Sequence, residues 1–292
     1  MNPVEFAAVH KSFKGKAVLR GVDLTVEPDK IVAMVGPNGS GKTTCLRIML
    51  GLLRPNSGNV RILGMSPDVD ALRIRQHCCY LPGETSLYQS MRGAEFLHFA
   101  LSFYSHLQND VMSQLMGTFQ LPLQKKIRNY SAGMKQQLAL MATLIPNVEL
   151  YILDEPERAL DATTRFFLRD VLRDLRSRGK TILLSSHHLL DVESLADELV
   201  FVLDGQSLSD ERVAEAQDQL RKRVRIKVRP GTELPGGADE IHTDADGTLH
   251  VSPHGNLAEW VARIPCDALI SAEIGTVHLE DLYRILTEEA KT

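Results

Sequence analysis

One segment, residues 31–50, constrains the fold of this chain more than any other. An apolar run at residues 31–35 ends at a turn rich in Gly, Asn and Ser, and apolar residues recur at helical spacing after Lys42. This order predicts a strand, a tight loop and a helix. Residues 36–43 carry the spacing Gly-x4-Gly-Lys-Thr, which is typical of a phosphate-binding loop at this kind of junction.

The residue types in this loop indicate how it would hold a nucleoside triphosphate. Gly36, Gly39 and Gly41 let successive backbone N–H groups converge on one point, and the helix N-terminus behind them adds a partial positive charge. Lys42 would reach the β- and γ-phosphates, and the Thr43 hydroxyl would hold Mg²⁺. A glycine-rich turn that binds nothing is the alternative, and the complete motif in its strand-to-helix context disfavours it.

Composition limits the classes of protein that this chain can belong to. Its 292 residues, 43% of them hydrophobic, suffice for one large globular domain or for a large and a small one. The net charge of −4 predicts no general attraction to nucleic acid or to anionic membranes. The sequence shows neither a signal-peptide pattern nor a long uncharged apolar stretch, so we expect a cytoplasmic chain that does not cross a membrane by itself. The four cysteines form no C-x2-C pair, which predicts buried reduced thiols.

A second candidate segment, residues 150–155, reads Leu-Tyr-Ile-Leu-Asp-Glu. The apolar run favours a central parallel strand, at whose carboxyl end ligands bind in open α/β sheets. Asp154 could then bind Mg²⁺, and Glu155 could polarise a water for attack on the γ-phosphate. Two solvated turn carboxylates are the alternative, which the upstream phosphate-binding loop disfavours.

Three further positions are candidates, each with a simpler alternative. Phe13 could stack on a purine, or it could belong to the core. Ser131 could cap a helix whose first turn, opened by Gly133, attracts an anion, although many capped helices bind nothing. His187 follows a predicted buried strand and could contact a phosphate or orient a carboxylate, or be an ordinary polar loop residue.

The rest of the chain predicts two accessory regions. Aromatic and aliphatic residues recur at helical spacing over residues 91–104, with a second helix over residues 111–119. This insertion is either a partner-binding face or a helical subdomain packed on itself. Beyond a change in composition near Arg221, residues 221–229 alternate basic with apolar side chains, which favours a strand with one wet face over a nucleic-acid site. The segment to residue 292, with a hairpin signal at residues 246–247, predicts a small α+β appendage.

The order of these motifs resembles that of the ATP-binding subunit of ABC transporters, over residues 4 to about 210. The resemblance assigns a motif to each candidate position. Walker A comprises Gly36, Pro37, Asn38, Gly39, Ser40, Gly41, Lys42, Thr43 and Thr44, and Walker B ends in Asp154 and Glu155. Phe13 matches the adenine-stacking aromatic, Ser131 and Gly133 belong to the signature, Asp161 lies in the D-loop, and His187 matches the switch histidine.

The resemblance implies a fold and a function. The fold would be an α/β P-loop NTPase core with an antiparallel β subdomain and a helical subdomain at about residues 86–145, forming a domain over residues 1–220. Residues 221–292 would form the C-terminal α+β domain. The subunit would hydrolyse ATP with Mg²⁺ as a head-to-tail homodimer, in which each of two ATP molecules lies between Walker A of one chain and the signature of the other.

The same resemblance implies a partner and a location. A separate polytopic membrane permease, most similar to those of bacterial exporters, would hold the subunit at the cytoplasmic face of the inner membrane. An ATP-gated regulatory or tethering module with slow hydrolysis is the alternative function.

Three departures from the family pattern bear on these expectations. The signature is Ser-Ala-Gly-Met at residues 131–134. Gly83 stands where the family has a Gln or Glu that senses Mg²⁺ and the attacking water, and Glu84 follows it. Residues 157–159, Glu-Arg-Ala, replace a small polar Thr-x-Gly, which we expect to add charge at the subunit contact.

Overall fold

The chain divides into two compact units, Met1–Ser207 and Leu208–Thr292. The computed structural model describes residues 1–186 and 189–289. The division falls before the boundary predicted near residue 220 from composition. The helix Asp210–Arg221 belongs to the second unit, because it packs there against the helix Leu279–Glu289.

The first unit contains the phosphate-binding segment. In chain order its elements are β1 (Val4–Phe13), β2 (Lys16–Val26), β3 (Ile31–Val35), α1 (Lys42–Met49), β4 (Ser57–Ile62), α2 (Pro67–His77), β5 (Cys78–Leu81), α3 (Gly93–Leu101), α4 (Asn109–Phe119), a 3-10 turn (Ile127–Asn129), α5 (Ala132–Leu144), β6 (Leu150–Asp154), α6 (Ala162–Ser177), β7 (Thr181–Ser186), α7 (Leu189–Glu193), β8 (Glu198–Leu203) and β9 (Gln206–Ser207).

A six-stranded sheet in the order β5-β6-β7-β3-β8-β9 forms the centre of this unit. Its first five strands are parallel, and β9 pairs antiparallel with β8. Every residue of β3, β6 and β7 is buried, as expected for near-continuous apolar runs in a parallel sheet. The carboxyl ends of these three neighbouring strands therefore meet at one edge of the sheet.

An antiparallel sheet and a group of helices complete the first unit. Strands β2, β1 and β4 form the antiparallel sheet, and its buried side chains share one core with those of β3 and α1. Helices α3, α4 and α5 lie within the predicted helical subdomain, and α5 packs against the other two. The predicted fold class, a mixed α/β P-loop NTPase with these accessory parts, is confirmed.

The second unit is a small α+β structure. In chain order its elements are α8 (Asp210–Arg221), β10 (Val224–Val228), β11 (Ala238–Thr243), β12 (Leu249–Pro253), α9 (Leu257–Val261), β13 (Leu269–Ile274) and α10 (Leu279–Glu289). The strands form an antiparallel sheet in the order β11-β12-β10-β13. Val224 and Ile226 of β10 are buried around Trp260, so the alternating segment is a strand with one wet face.

Over residues 1–186 and 189–289, no helix combines the length and the apolar character that a membrane span requires.

Candidate nucleotide site

The loop after β3 has the glycine geometry of a phosphate cradle. A Cβ at Gly36 would lie 2.1 Å from the backbone oxygen of Val202, so no larger residue fits there. Gly39 and Gly41 have φ values of 83° and 110°, which favour glycine, and Gly41 is the N-cap of α1. The chain can therefore turn directly from a buried strand into a helix whose N-terminus faces the loop.

Lys42 is held against this loop and is almost completely buried. Its Nζ donates to the carbonyl oxygens of Gly36, at 2.6 Å, and of Pro37, at 3.1 Å. Burial lowers the pKa of Lys42, while the negative charges of Glu155 and Asp154 act in the opposite direction. An anion in the loop would give this desolvated ammonium a stronger partner than two neutral carbonyls.

Asp154 joins the phosphate-binding helix to the end of β7. One of its carboxylate oxygens accepts a 2.8 Å hydrogen bond from the Thr43 hydroxyl, and the other accepts a 2.5 Å bond from the Ser185 hydroxyl. Register pairing of β6 with β7 places Asp154 directly opposite Ser185. Adjacent hydroxyl and carboxylate oxygens of this kind are the ligands that Mg²⁺ prefers, so the residues present fit that ion.

Glu155 begins the loop after β6 in a left-handed conformation, with φ of 49°. Its N–H lies 3.1 Å from the carbonyl oxygen of Ser185, which ties this turn to the neighbouring strand. A non-glycine residue in this region costs about 1 kcal/mol or more and is held there by its surroundings.

A cavity of about 510 Å³ brings half of the predicted residues together. Those that line it are Asn38, Gly39, Gly41, Lys42, Thr43, Thr44, Asp154 and Glu155. The remaining Walker A residues shape the loop: Pro37 accepts a hydrogen bond from the N–H of Ser40, whose side chain is buried.

One wall of this cavity is formed by residues outside Walker A and Walker B. It comes from the start of β2 and from the turn before β9, through Lys16, Val18, Arg20, Asp204 and Gly205. A 2.7 Å hydrogen bond from the Arg20 N–H to the Gly205 oxygen joins these segments. Only the fold brings them together, since they are far apart in the chain.

Phe13 lies at the end of β1, outside the set of residues that line the cavity. It is 42% exposed, and Lys11 Nζ lies 5.1 Å from its ring centroid. Its register partner on β2, Lys16, does line the cavity. Purine stacking by Phe13 stays a prediction.

The signature and D-loop residues also lie away from the cavity lining. Ser131 caps α5 by accepting from the N–H of Met134 at 3.2 Å. Asp161 caps α6, and hydrogen bonds from the N–H and hydroxyl of Thr164 lower its pKa. A Cβ at Gly133 would lie 2.9 Å from the Ala159 oxygen, so the start of α5 and the loop before α6 are in close contact. His187 lies outside the described residues.

The departures from the family pattern have structural consequences. A Cβ at Gly83 would lie 3.3 Å from the Asp154 carboxylate, so this position faces the predicted Mg²⁺ ligand. Glu84 instead lines a separate cavity of about 290 Å³, together with Arg158. Of the charged residues expected at the subunit contact, Glu157 is buried and accepts a hydrogen bond from the Ser186 hydroxyl, while Arg158 is exposed. The added charge at that contact stays a prediction.

The fold and this site define a P-loop nucleotide-binding protein. The family model for ABC transporters matches residues 19–158. The chain is 36% identical over 220 residues to the ABC transporter ATP-binding protein YxlF of Bacillus subtilis, covering 73% of this chain and 72% of that protein.

Two further relatives and one solved structure also carry names of ABC transporter or export ATP-binding proteins. Nod factor export ATP-binding protein I of Rhizobium etli is 30% identical, over 75% of this chain and 71% of that protein. The ABC transporter ATP-binding protein all4389 of Nostoc sp. is 34% identical over 64% of this chain, and the match spans 58% of that relative's length. A solved ATP-binding subunit of an ABC transporter superposes with a TM-score of 0.66 at 26% identity, over 73% of this chain and 92% of the other.

The chain belongs to the ABC transporter ATP-binding family. It is therefore a nucleotide-binding subunit of the ABC ATPase class.

Proposed function

We propose that this subunit binds ATP with Mg²⁺, hydrolyses it in a homodimer and thereby drives a separate membrane permease that works as an exporter. Lys42 and the loop N–H groups would hold the phosphates, and Thr43 and Asp154 would hold Mg²⁺. Bound Mg²⁺ would neutralise charge on the phosphates. Glu155 would accept a proton from the attacking water, and His187 would contact a phosphate or orient a carboxylate.

The observation that carries this proposal is the position of the Asp154 carboxylate. It is buried, and its two oxygens are bonded to the Thr43 hydroxyl and to the Ser185 hydroxyl. A carboxylate fixed in this way next to the phosphate-binding helix is a ready ion ligand, while Glu155, the next residue, lines the same cavity. The two carboxylates can therefore have separate roles, one for the ion and one for the water.

The placement of Ser131 and Gly133 supports a dimer. Both belong to the same unit as the loop, yet neither lines the cavity around Lys42. A second copy would supply them to the open side of the triphosphate, where the capped N-terminus of α5 would add a second source of positive potential. Because one chain carries both halves, a homodimer with two complete sites is the simplest assembly.

An exposed aromatic groove supports a separate partner. A cavity of about 550 Å³ lies beside α3, and its lining includes Phe96, Phe99 and Phe103. Phe103 is 66% exposed and meets Phe99 edge to face, with ring centroids 5.1 Å apart. A contiguous exposed apolar surface of this kind favours protein contact. We propose that the permease binds here, at the cytoplasmic face of the membrane. The name of the Rhizobium etli relative, a Nod factor export ATP-binding protein, supports the proposal that the permease works as an exporter.

The variant Glu155→Gln tests the proposed catalytic role. We expect turnover to fall by about 100-fold or more, the usual scale for the loss of a general base. ATP binding should persist, and the ATP-bound dimer should accumulate in size-exclusion chromatography. The matched control is Glu149→Gln, because Glu149 is an exposed residue that contacts His77 on the surface. Turnover close to that of the unmodified protein in Glu155→Gln would refute the role of Glu155.

Gly83 favours the alternative of an ATP-gated module with slow hydrolysis. Its backbone faces Asp154 but offers no side chain to position the attacking water. Copurification with a polytopic membrane protein, with faster hydrolysis in its presence, would support the transport proposal. ATP-dependent dimerisation without hydrolysis, even with the membrane partner, would support the regulatory one.

A further inference from the structure

Two histidines and one aspartate form a compact cluster in the second unit. His242 lies at the end of β11, Asp244 follows that strand directly, and His250 lies opposite His242 on β12. Their nearest ligand atoms lie within 4.8 Å of one another. The imidazole rings are stacked, with centroids 3.8 Å apart. The hairpin register therefore brings three ligand side chains to one point.

A ring nitrogen of each histidine faces the Asp244 carboxylate. His250 Nε2 lies 2.8 Å from Asp244 Oδ2, and His242 Nε2 lies 3.2 Å from Asp244 Oδ1. His250 is only 2% exposed, and Asp244 is 34% exposed. One histidine is thus fixed in the interior, while the aspartate at the rim leaves a route for an ion to enter.

The contact with Arg284 of α10 indicates which form His242 Nε2 takes. Its Nη1 lies 2.5 Å from His242 Nε2. A guanidinium can only donate, so this nitrogen must present its lone pair, which is the form that ligates a metal. Arg284 also donates to Asp281, one turn earlier on α10.

We propose that His242, Asp244 and His250 form a binding site for a divalent transition metal of the Zn²⁺ type, and that Arg284 occupies the metal position in the metal-free protein. Two imidazoles and a carboxylate are a donor set that suits Zn²⁺, whereas Mg²⁺ and Ca²⁺ prefer oxygen ligands alone. The cationic side chain contacts the ligand atom that the ion would use.

Asp281 also lies close to this site. Its Oδ1 lies 3.9 Å from His250 Nδ1, and its side chain is 10% exposed. Metal binding would release Arg284 from His242 and leave it paired with Asp281. The ion would then hold the two strands of the β11–β12 hairpin together.

The test measures Zn²⁺ binding to the full-length chain by competition with a chromogenic chelator. We expect one ion per chain, and His242→Ala should weaken binding by about 100-fold or more, since the loss of supporting residues alone costs 10- to 100-fold. Asp244→Asn should also weaken binding. Arg284→Gln should strengthen it by about tenfold, because it removes a positive charge next to the ion.

Two further measurements separate this site from surface binding. His254→Ala is the matched control, because His254 pairs with Asp239 at 3.0 Å beside the same hairpin but is exposed. The Zn²⁺ affinity of this variant should equal that of the unmodified chain. Co²⁺ should give a visible absorption band that His242→Ala abolishes. The His242 and Asp244 variants keep the test valid if the buried His250 cannot be replaced without unfolding.

The proposal would be overturned by the absence of a Zn²⁺ site in the unmodified chain, or by equal Zn²⁺ affinity in the His242→Ala and His254→Ala variants. An unchanged or weaker affinity in Arg284→Gln would overturn the role of Arg284. ATP hydrolysis plays no part in these outcomes, so they stand independently of the proposed transport function.

Discussion

The Thr43 hydroxyl donates a 2.8 Å hydrogen bond to a carboxylate oxygen of Asp154, and this bond links the phosphate-binding helix α1 to the end of β6. The neighbouring Ser185 hydroxyl holds the other oxygen. The carboxylate is thus oriented before any ligand arrives, which reduces the reorganisation that ion binding requires.

Replacing Asp154 by Asn should separate ion binding from nucleotide binding. The amide keeps the size of the side chain and one acceptor oxygen, but it loses the negative charge that a divalent ion needs. We expect turnover to fall by about 100-fold or more, as for other losses of transition-state charge stabilisation. Binding of a fluorescent ATP analogue, measured with and without Mg²⁺, should lose its Mg²⁺ dependence.

Asp170→Asn is the control for this variant. Asp170 is an exposed residue of α6 that pairs with Arg173 at 3.5 Å. Its replacement should leave both the turnover and the Mg²⁺ dependence unchanged. A strong Mg²⁺ dependence that persists in Asp154→Asn would show that the ion is held elsewhere.

Restoring a side chain at position 83 should raise the rate of hydrolysis. A glutamine there would start 3.3 Å from the Asp154 carboxylate and could reach the ion and the attacking water. We therefore expect Gly83→Gln to increase turnover several-fold in a steady-state phosphate-release assay.

Glu84→Gln is the companion variant, because Glu84 lines the cavity next to Arg158 and Lys135 instead of the nucleotide cavity. We expect it to change turnover little. The opposite pattern, a large loss in Glu84→Gln and no gain in Gly83→Gln, would show that Glu84 replaces the missing side chain.

The sequence was most informative where one local pattern determines the structure. The apolar runs of β3 and β6 predicted buried parallel strands, and the acidic end of β6 could be placed near the phosphate loop because parallel strands end at the same edge. Helix α2 was not predicted, since only Pro67 and Ile74 of it are buried and its apolar periodicity is weak.

Features that depend on contacts between distant segments could not be predicted. The burial of Glu157 is one of these features, because it depends on the Ser186 hydroxyl at the end of β7, which donates to the carboxylate. The His242–Asp244 spacing is a weak signal in the sequence, and only the hairpin register brings His250 opposite His242. The wall of the nucleotide cavity at Gly205 likewise depends on its contact with β2.

The reactivity of the thiols should follow burial. Burial raises the pKa of Cys45 and of Cys79 to about 12, and it raises that of Cys78 as well, whereas Cys266 is exposed. Reaction requires the thiolate, so a chromogenic disulfide reagent at pH 8 should modify one thiol in the native chain and four after denaturation.

Cys266→Ser should abolish the native reaction and leave three thiols after denaturation. Rapid modification of a second thiol in the native chain at pH 8 would contradict the burial of these side chains.

The buried thiols should also make the free energy of unfolding depend on pH. Because the pKa values of Cys45 and Cys79 in the folded chain exceed the ordinary value near 9, the stability that these neutral thiols contribute is complete below about pH 9. It is lost as the pH rises toward 12.

Gly133→Ala should disturb the contact between the signature helix and the loop before α6. The added methyl would lie 2.9 Å from the Ala159 oxygen, so the backbone that leads to Asp161 must shift. We expect a loss of about 1–3 kcal/mol in the free energy of unfolding, the usual cost of overpacking, measured by urea denaturation.

Gly117→Ala is the matched control. Gly117 lies in α4 with open space around its Cβ position, so alanine there should stabilise the chain by about 0.5–1 kcal/mol. If both variants stabilise the chain equally, the start of α5 and the loop at Ala159 are not in close contact. Reduced turnover in Gly133→Ala alone would connect this contact to the assembly of the second half of the nucleotide site.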